Sequence, residues 1–274
     1  METMTTNYLS LTPEEKWEQA TLANNFIFYK VMRQHQDACK QLLEMLLGIK
    51  IESMEMKQEE TIALDYDSKG IRLDVFVKDT GRMFDVELQV ANTKELPERA
   101  RYYQGVMDVD TLKAGQKYKE LRDSHIIFIC LEDVFKNGLP VNTFANICLE
   151  DGKTKFGDRT YKHFFFAPLC AKMIEDKEVK AFFEFLISNQ ASSSYTDELK
   201  NYVADAKQST ENKMQFMTWE RQRAYDFEAG AQQKAVEDAE NLLKEKISEE
   251  IIAKCTGLPL EKVMELKEKV SVKA

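Results

Sequence analysis

Residues 70–90 read GIRLDVFVKDTGRMFDVELQV and predict two β-strands joined by a tight turn. Side chains of a strand point alternately to opposite faces of a sheet. On the first strand Arg72 and Asp74 therefore share a face, and on the second strand Glu87 and Gln89 share one. The residues between the strands, Asp-Thr-Gly, are typical of a hairpin turn. The sequence thus predicts a hairpin that carries an acid on each strand.

A turn centred between Thr80 and Gly81 would place Asp74 opposite Glu87. Directly opposed side chains lie roughly 5 Å apart at Cβ, and two like charges there are destabilising. A divalent cation between the carboxylates would offset the repulsion, because Mg²⁺ is usually held by one or two carboxylates with waters and substrate phosphate. The alternatives are that one acid is protonated, or that Arg72 screens both.

The spacing of Asp74, Glu87 and Gln89 resembles the D…(E/Q)xK core of PD-(D/E)XK nucleases, with a glutamine in the lysine's place. Further segments, in order along the chain, resemble the recombination-promoting nuclease and transposase family of that superfamily. They are NNFIFYKVM at 24–32, RLDVFVKD at 72–79, VELQ at 86–89, RARYYQGVM at 99–107, GQKYKEL at 115–121 and TGLPLEKVMEL at 256–266. The resemblance extends from near residue 20 to the end of the sequence.

This resemblance implies a restriction-endonuclease-like α/β fold, with a mixed sheet flanked by helices and an α-helical C-terminal extension. It also implies an enzyme that cleaves phosphodiester bonds in DNA with Mg²⁺, or with Mn²⁺ in its place. Asp74, Glu87 and the backbone carbonyl of Leu88 would hold the metal ion. Gln89 would orient the attacking water, but an amide supplies no positive charge to the developing oxyanion, so transition-state stabilisation should be weaker.

The candidate DNA-binding residues are Arg72 on the first strand and Arg99, Arg101 and Tyr102 in the segment after the hairpin. Arg99, Tyr102 and Tyr103 share a helix face, because the two tyrosines are three and four residues after the arginine. An arginine could contact a phosphate, and a tyrosine could stack on a base. The alternative is that tyrosine packs beneath the sheet while the arginines are exposed to solvent.

The flanking sequence predicts helices and strands around the hairpin. A helix or helix pair is expected over 14–47, ending at Gly48. PD-(D/E)XK nucleases often carry a further acid on an early helix, and Glu44 is the nearest candidate, with a solvated helix acid as the alternative. The remaining predictions are a strand at 54–64, a long helix at 95–122 broken near Gly115, and strands at 125–131, 143–149 and 161–166.

Three parts are predicted along the chain: a flexible N-terminus at 1–13, a nuclease-like domain at 14–188 and a helical C-terminal region at 189–274. The boundary is marked by a serine-rich stretch that is typical of a linker. The C-terminal region carries an apolar stripe around Ile251, which is more apolar than a free helix would expose. We therefore expect a homodimer through the C-terminal helices, or packing of the stripe against the core.

The composition argues against several classes of protein. The net charge of −9 over 274 residues disfavours non-specific coating of nucleic acid. Five cysteines without a CxxC pair and three scattered histidines disfavour a disulfide framework, a zinc site and a Ser-His-Asp triad. Because the sequence has no apolar run of membrane-spanning length and no signal-peptide pattern, we expect a cytoplasmic protein without membrane or disulfide partners.

The main alternative is a catalytically inactive module of the same fold that binds DNA or protein, because fold alone does not establish activity. Metal binding by Asp74 and Glu87 would distinguish the two functions. A coiled-coil scaffold is disfavoured, since the apolar strands require a sheet core.

Overall fold

The computed structural model describes the backbone of residues 11–56, 61–62, 71–72 and 75–273, and the side chains of residues 11–56 and 75–270. The described helices are α1 (Pro13–Gln19), α2 (Asn25–Gln34), α3 (Gln36–Leu47), α4 (Leu96–Thr111), α5 (Ala167–Met173), α6 (Lys177–Ser188), α7 (Ser194–Gln208), α8 (Thr210–Lys244), α9 (Glu249–Thr256) and α10 (Leu260–Lys273), with a 3₁₀ turn at Tyr118–Glu120. The described strands are β1 (Glu55–Met56), β2 (Thr61–Ile62), β3 (Ile71–Arg72), β4 (Val75–Asp79), β5 (Arg82–Gln89), β6 (Asp123–Cys130), β7 (Val141–Phe144) and β8 (Thr160–Phe166).

Six of these strands form one mixed sheet in the order β1-β4-β5-β6-β8-β7, and β2 pairs with β3 separately. Strands β5, β6 and β8 run parallel to one another, whereas β1, β4 and β7 are antiparallel to their neighbours. Helix α4 packs against β6, and α2 contacts β4 and β5. The structure therefore confirms the predicted α/β class, a mixed sheet flanked by helices, and the helices that follow it.

One face of the sheet packs beneath α4. Phe76, Met83 and Phe128 come from three neighbouring strands and form one apolar cluster with Ala100 and Met107 of α4. All five side chains are buried. Burial of a phenylalanine or methionine side chain stabilises a fold by roughly 1.5–3 kcal/mol. This cluster therefore holds α4 over the centre of the sheet.

The β4–β5 hairpin has the register that its turn sequence predicts. Val75 lies opposite Val86, which centres the turn directly after Thr80. Gly81 adopts a φ angle of 77°, in the left-handed region that glycine enters without a steric penalty. Asp74 lies outside the described residues, and so does its predicted pairing across the hairpin.

Two predicted helical segments differ from the observed ones. The segment 14–47 contains three helices, because the Asn24 side chain accepts hydrogen bonds from two backbone N–H groups and so begins α2. The long helix predicted after the hairpin ends at Thr111, before the break expected at Gly115, because Leu112 adopts an extended conformation. The end of α3 at a left-handed glycine agrees with the prediction.

The predicted strands differ in length as well. Two short strands occupy the described part of 54–64: β1 pairs with β4, whereas β2 pairs with β3 in a separate sheet. Strand β7 ends earlier than predicted, because the following chain forms its own ribbon, in which Ile147 bridges Lys155. The central strand β6 and its parallel neighbour β8 confirm the strands predicted at 125–131 and 161–166.

The chain divides into two compact units. The first unit is Trp17–Thr210, and the second combines the described residues of Met1–Lys16 with Glu211–Ala274. In the second unit, Ile252 and Leu266 belong to a small apolar core formed by α8, α9 and α10. No helix of the described residues is long and apolar enough to cross a membrane.

Helix α7 belongs to the first unit. The Tyr195 hydroxyl donates to the Ala38 carbonyl oxygen at 2.8 Å, and the Tyr202 ring stacks on His35 with 3.6 Å between centroids. The first unit therefore extends past the boundary expected at residue 188. The domain boundary at residue 188 stays a prediction, and we propose a boundary near Thr210 as the alternative.

Candidate active site

The polar face of β5 carries three buried side chains. Asp85, Glu87 and Gln89 are 0%, 2% and 8% exposed. They alternate with apolar residues and so project from one face of the sheet. Met83, which precedes them on that face, packs beneath α4, and this packing explains why the polar residues are covered. Because charged side chains are rarely buried this deeply without partners, a group that pairs with Glu87 is expected next to it.

Arg99, in the first turn of α4, contacts two of these side chains. Its Nη2 lies 2.5 Å from Glu87 Oε2, and its Nη1 donates to Gln89 Oε1 at 3.1 Å. The Gln89 amide donates to the same Glu87 oxygen at 3.1 Å. The three side chains therefore form a closed triangle. The Glu87 side chain is 2% exposed and that of Arg99 is 29% exposed, so the guanidinium is the member that faces solvent.

Tyr103 supports Arg99 from the next turn of α4. The Tyr103 hydroxyl accepts a hydrogen bond from Arg99 Nη2 at 3.1 Å, and the guanidinium carbon lies 5.3 Å from the Tyr103 ring centroid and 5.6 Å from that of Phe128. Burial, and then the charge of Glu87, raise the pKa of Tyr103 to about 12, against an opposing effect of Arg99. The phenol therefore stays protonated at neutral pH, and its contribution is to hold the guanidinium.

The backbone carbonyl of Leu88 accepts a hydrogen bond from Asn25 Nδ2 at 3.1 Å. Asn25 is the first residue of α2, and the cap at Asn24 fixes where that helix begins. The site therefore includes a residue that the sequence analysis did not select. Its only signal in the sequence was its place in NNFIFYKVM, a segment that carries the family resemblance.

Two of the predicted residues have side chains outside the described ones, and two lie on the exposed side of α4. Asp74 lies outside the described residues, and Arg72 is described only by its backbone in β3. Arg101 and Tyr102 lie on the exposed side of α4, where Tyr102 is 38% exposed. Both residues follow Arg99 within one helical turn, and both are exposed to solvent.

Glu44 lies near the turn of the hairpin. Its Oε1 accepts from the Ile51 backbone N–H at 2.8 Å. The neighbouring Lys50 carbonyl accepts from Arg82 Nη2 at 2.6 Å, and Arg82 is the first residue of β5. Because a strand rises by roughly 3.3 Å per residue, this end of β5 is about 16 Å from Glu87. Glu44 is therefore held near the turn end of β5, and its role as a further site acid stays a prediction.

The oxygen atoms near the end of β5 suit a hard divalent cation. Glu87 offers a carboxylate and Leu88 a carbonyl, and Mg²⁺ typically uses one or two carboxylates while keeping several waters. Across the ranges that the structure describes, no cluster of three or more His, Cys, Asp or Glu residues could hold a metal ion. Glu87 and Leu88 therefore provide part of a donor set, and the second predicted carboxylate, Asp74, lies outside the described residues.

The residues described above lie in the part of the chain that matches the model of one protein family. The family model described as PD-(D/E)XK nuclease family transposase matches residues 23–246, which include Asn25, Glu87 and Arg99. The mixed six-stranded sheet flanked by helices is consistent with the nuclease fold of that family. Among curated proteins and among solved structures, no match to the chain was found.

Proposed function

The chain belongs to the PD-(D/E)XK nuclease family transposases, and we propose that it hydrolyses phosphodiester bonds in DNA with the help of a divalent metal ion. The observation that carries the proposal is the buried Glu87, next to Gln89 and the Leu88 carbonyl on a central strand. A carboxylate held in this way is poised to bind a cation, because its position is fixed by the sheet.

In this proposal Glu87, the Leu88 carbonyl and Asp74 hold Mg²⁺ or Mn²⁺. When bound, the metal ion polarises the scissile phosphate and lowers the pKa of the attacking water. The Gln89 amide carries both a hydrogen-bond donor and an acceptor, so it can orient that water. Asn25 fixes the Leu88 carbonyl by its hydrogen bond. These are binding and orienting roles, and a cation from elsewhere must stabilise the negative charge.

We propose that DNA binds along α4. Arg101 and Tyr102 are exposed there, and Arg99 lies at the start of the same helix. Arginine can form paired hydrogen bonds with phosphate, and tyrosine can stack on an unpaired base. A local basic surface is required, because the net charge of the whole chain is −9 and phosphate binding depends on cations.

The second candidate function is a catalytically inactive module of the nuclease fold that binds DNA or protein. Two observations favour it: Gln89 occupies the position of the lysine, and Arg99 already neutralises Glu87. In such a module the Glu87–Arg99 contact would serve only to attach α4 to the sheet. The two functions differ in whether divalent metal ions bind and support cleavage.

Plasmid nicking tests the proposed function directly. We expect purified protein to convert supercoiled plasmid to the open-circular form with Mg²⁺ or Mn²⁺, and to leave it intact with a chelator. Glu87→Gln keeps the size of the side chain and removes its negative charge, so nicking and metal binding should both be lost.

Glu198→Gln is the matched control, because Glu198 is an exposed acid on α7. It should nick DNA as the wild type does. Wild-type protein that binds DNA or protein partners but leaves plasmid intact with both metals would support the inactive module. Full activity of Glu87→Gln would contradict the assignment of the metal site.

A further inference from the structure

We infer that Arg99 supplies the positive charge that Gln89 cannot carry, and that Arg99 competes with the metal ion for Glu87. The inference rests on the proposed nuclease function and adds a regulatory property to the same site. Arg99 then has two positions: on Glu87 when metal is absent, and on the phosphate when metal and DNA are bound.

The positive charge of Arg99 lies next to Gln89. Arg99 Nη1 lies 3.1 Å from Gln89 Oε1, so the guanidinium is adjacent to the side chain that occupies the lysine position. Arginine stays protonated at any pH of interest and presents a planar set of donors that matches phosphate. Arg99 of α4 thus places a positive charge beside Gln89 of β5, which is neutral.

Arg99 contacts the carboxylate that is proposed to hold the metal ion. The Glu87 oxygen that contacts Arg99 at 2.5 Å also accepts from the Gln89 amide, so both donors converge on Oε2. A divalent ion on this carboxylate would lie within a few ångströms of the guanidinium, and two cations at such a distance repel each other. Metal binding therefore has to displace Arg99 or proceed at reduced affinity.

Arg99 is more exposed to solvent than the carboxylate that it contacts. Its side chain is 29% exposed, whereas that of Glu87 is 2% exposed. The guanidinium can therefore move toward solvent, the direction from which a DNA phosphate would approach, while the carboxylate stays in place. Its contacts with Tyr103 keep it near the site during that movement.

Arg99→Gln tests both roles because they predict effects of opposite sign. Without its competitor, Mn²⁺ should bind more tightly, by about three- to tenfold in a calorimetric titration of the full-length protein. Nicking should nevertheless fall by about tenfold or more, the size expected for a lost charge-assisted hydrogen bond. A residue that only attaches α4 to the sheet would lower metal affinity and nicking together.

Two further variants show whether nicking is lost because the charge is missing or because the protein does not fold. Arg99→Lys keeps the charge and should retain the wild-type Mn²⁺ affinity and more nicking than Arg99→Gln. Adding Gln89→Lys to Arg99→Gln should restore nicking, because the cation returns to the strand. Gln89→Lys alone should raise nicking less than it does in the Arg99→Gln background, since two cations would then lie side by side where Gln89 Oε1 is now 3.1 Å from Arg99 Nη1.

Lys200→Gln is the control for removal of one positive charge, since Lys200 is exposed on α7. It should change neither readout. Unchanged or weaker Mn²⁺ binding in Arg99→Gln would overturn the competition, and unchanged nicking would overturn the charge role. If the wild type binds Mn²⁺ without nicking DNA, the proposed function fails, whereas the titrations of Arg99→Gln and Arg99→Lys still decide the competition.

Discussion

The Glu87–Arg99 contact joins two side chains with unequal access to water. Arg99 can be solvated when its partner is neutralised, because it is 29% exposed, whereas Glu87 is 2% exposed. Removing one partner of a fully buried ion pair destabilises a protein by roughly 3–5 kcal/mol. The partial exposure of Arg99 reduces that figure for loss of Glu87. Loss of Arg99 is the more severe change, and Arg99→Lys is therefore the informative conservative variant.

Asn25 gives a second prediction for a single residue. Its amide donates to the Leu88 carbonyl, which is proposed as a metal ligand. A carbonyl oxygen has two lone pairs, so the hydrogen bond from Asn25 can orient the oxygen and leave one lone pair available for a metal ion. Loss of such supporting contacts typically weakens metal binding by about 10–100-fold, and we expect an effect toward the lower end of that range for Asn25→Ala.

Calorimetric titration with Mn²⁺ measures the effect of Asn25→Ala, and thermal melting verifies that the variant is folded. Asn201→Ala is the control, because Asn201 is exposed on α7. Equal Mn²⁺ affinity of Asn25→Ala and the wild type would show that the Leu88 carbonyl needs no support, or that it binds no metal.

Individual elements differ in how far the sequence could predict them. The hairpin register followed from local turn residues, so Val75 lies opposite Val86 as expected. The contact between Arg99 and Glu87 depends on how α4 packs over β5, which neither segment encodes alone. For the same reason Asn25 could not be assigned a role, and Tyr103 could be placed on the helix face of Arg99 but not identified as its hydrogen-bond partner. The early end of α4 depends on Leu112 leaving the helix, although no proline or glycine marks that position.

A pair of histidines on the opposite face of the sheet predicts how the stability of the protein depends on pH. His125 pairs with Phe84 in the sheet register, so it lies on the face away from Glu87. His125 Nδ1 and His163 Nε2 are 3.1 Å apart. Burial, and then the charge of Arg82, lower the pKa of His125 to about 4, and burial followed by the charge of His125 lowers that of His163 to about 4.

These lowered pKa values imply loss of stability as the pH falls. In an unfolded chain histidine has a pKa of about 6.5, so between that value and about 4 the unfolded chain binds protons that the folded chain does not. The free energy of unfolding should therefore decrease from pH 6.5 to about 4. The double variant His125→Phe, His163→Phe keeps flat rings in the sheet and should lose less stability over this range.

Urea unfolding at several pH values between 7 and 4 measures this dependence. Protonation of carboxylates contributes equally to both proteins, so the difference between them reports the two histidines. Parallel stability curves for the wild type and the double variant would contradict the assignment.

The whole molecule is built from two units, and the first closes only when α7 is included. Tyr195, Leu199 and Val203 of α7 are buried in it, at 1%, 0% and 7% exposure. Each such side chain contributes roughly 1.5–3 kcal/mol when buried, which together is comparable to the net stability of a typical domain. A chain ending near residue 190, at the boundary suggested by the serine-rich stretch, would lack all three.

Truncation at two points therefore distinguishes the two boundaries. A chain ending at Thr210 should unfold cooperatively and bind Mn²⁺ as the full-length protein does, whereas a chain ending at residue 190 should melt at a much lower temperature or fail to fold. Calorimetric melting and Mn²⁺ titration measure both properties. Equal melting temperatures of the two truncated chains would show that α7 is dispensable and would support the earlier boundary.

The second unit exposes large apolar side chains on α8: Met214, Tyr225 and Phe227 are 67%, 66% and 76% exposed. Met214 and Tyr225 share a helix face, because they are eleven residues, or about three turns, apart. Exposed apolar side chains on one helix face are typical of a surface that binds another protein chain, and a two-fold dimer is the commonest arrangement of soluble homo-oligomers. We therefore expect full-length protein to have the mass of two 31.8 kDa chains in light scattering, and the chain ending at Thr210 to be a monomer. Tyr225→Glu should also give a monomer while leaving the melting of the first unit unchanged. A monomeric wild type at micromolar concentration would contradict the dimer, and a dimeric chain ending at Thr210 would place the interface in the first unit.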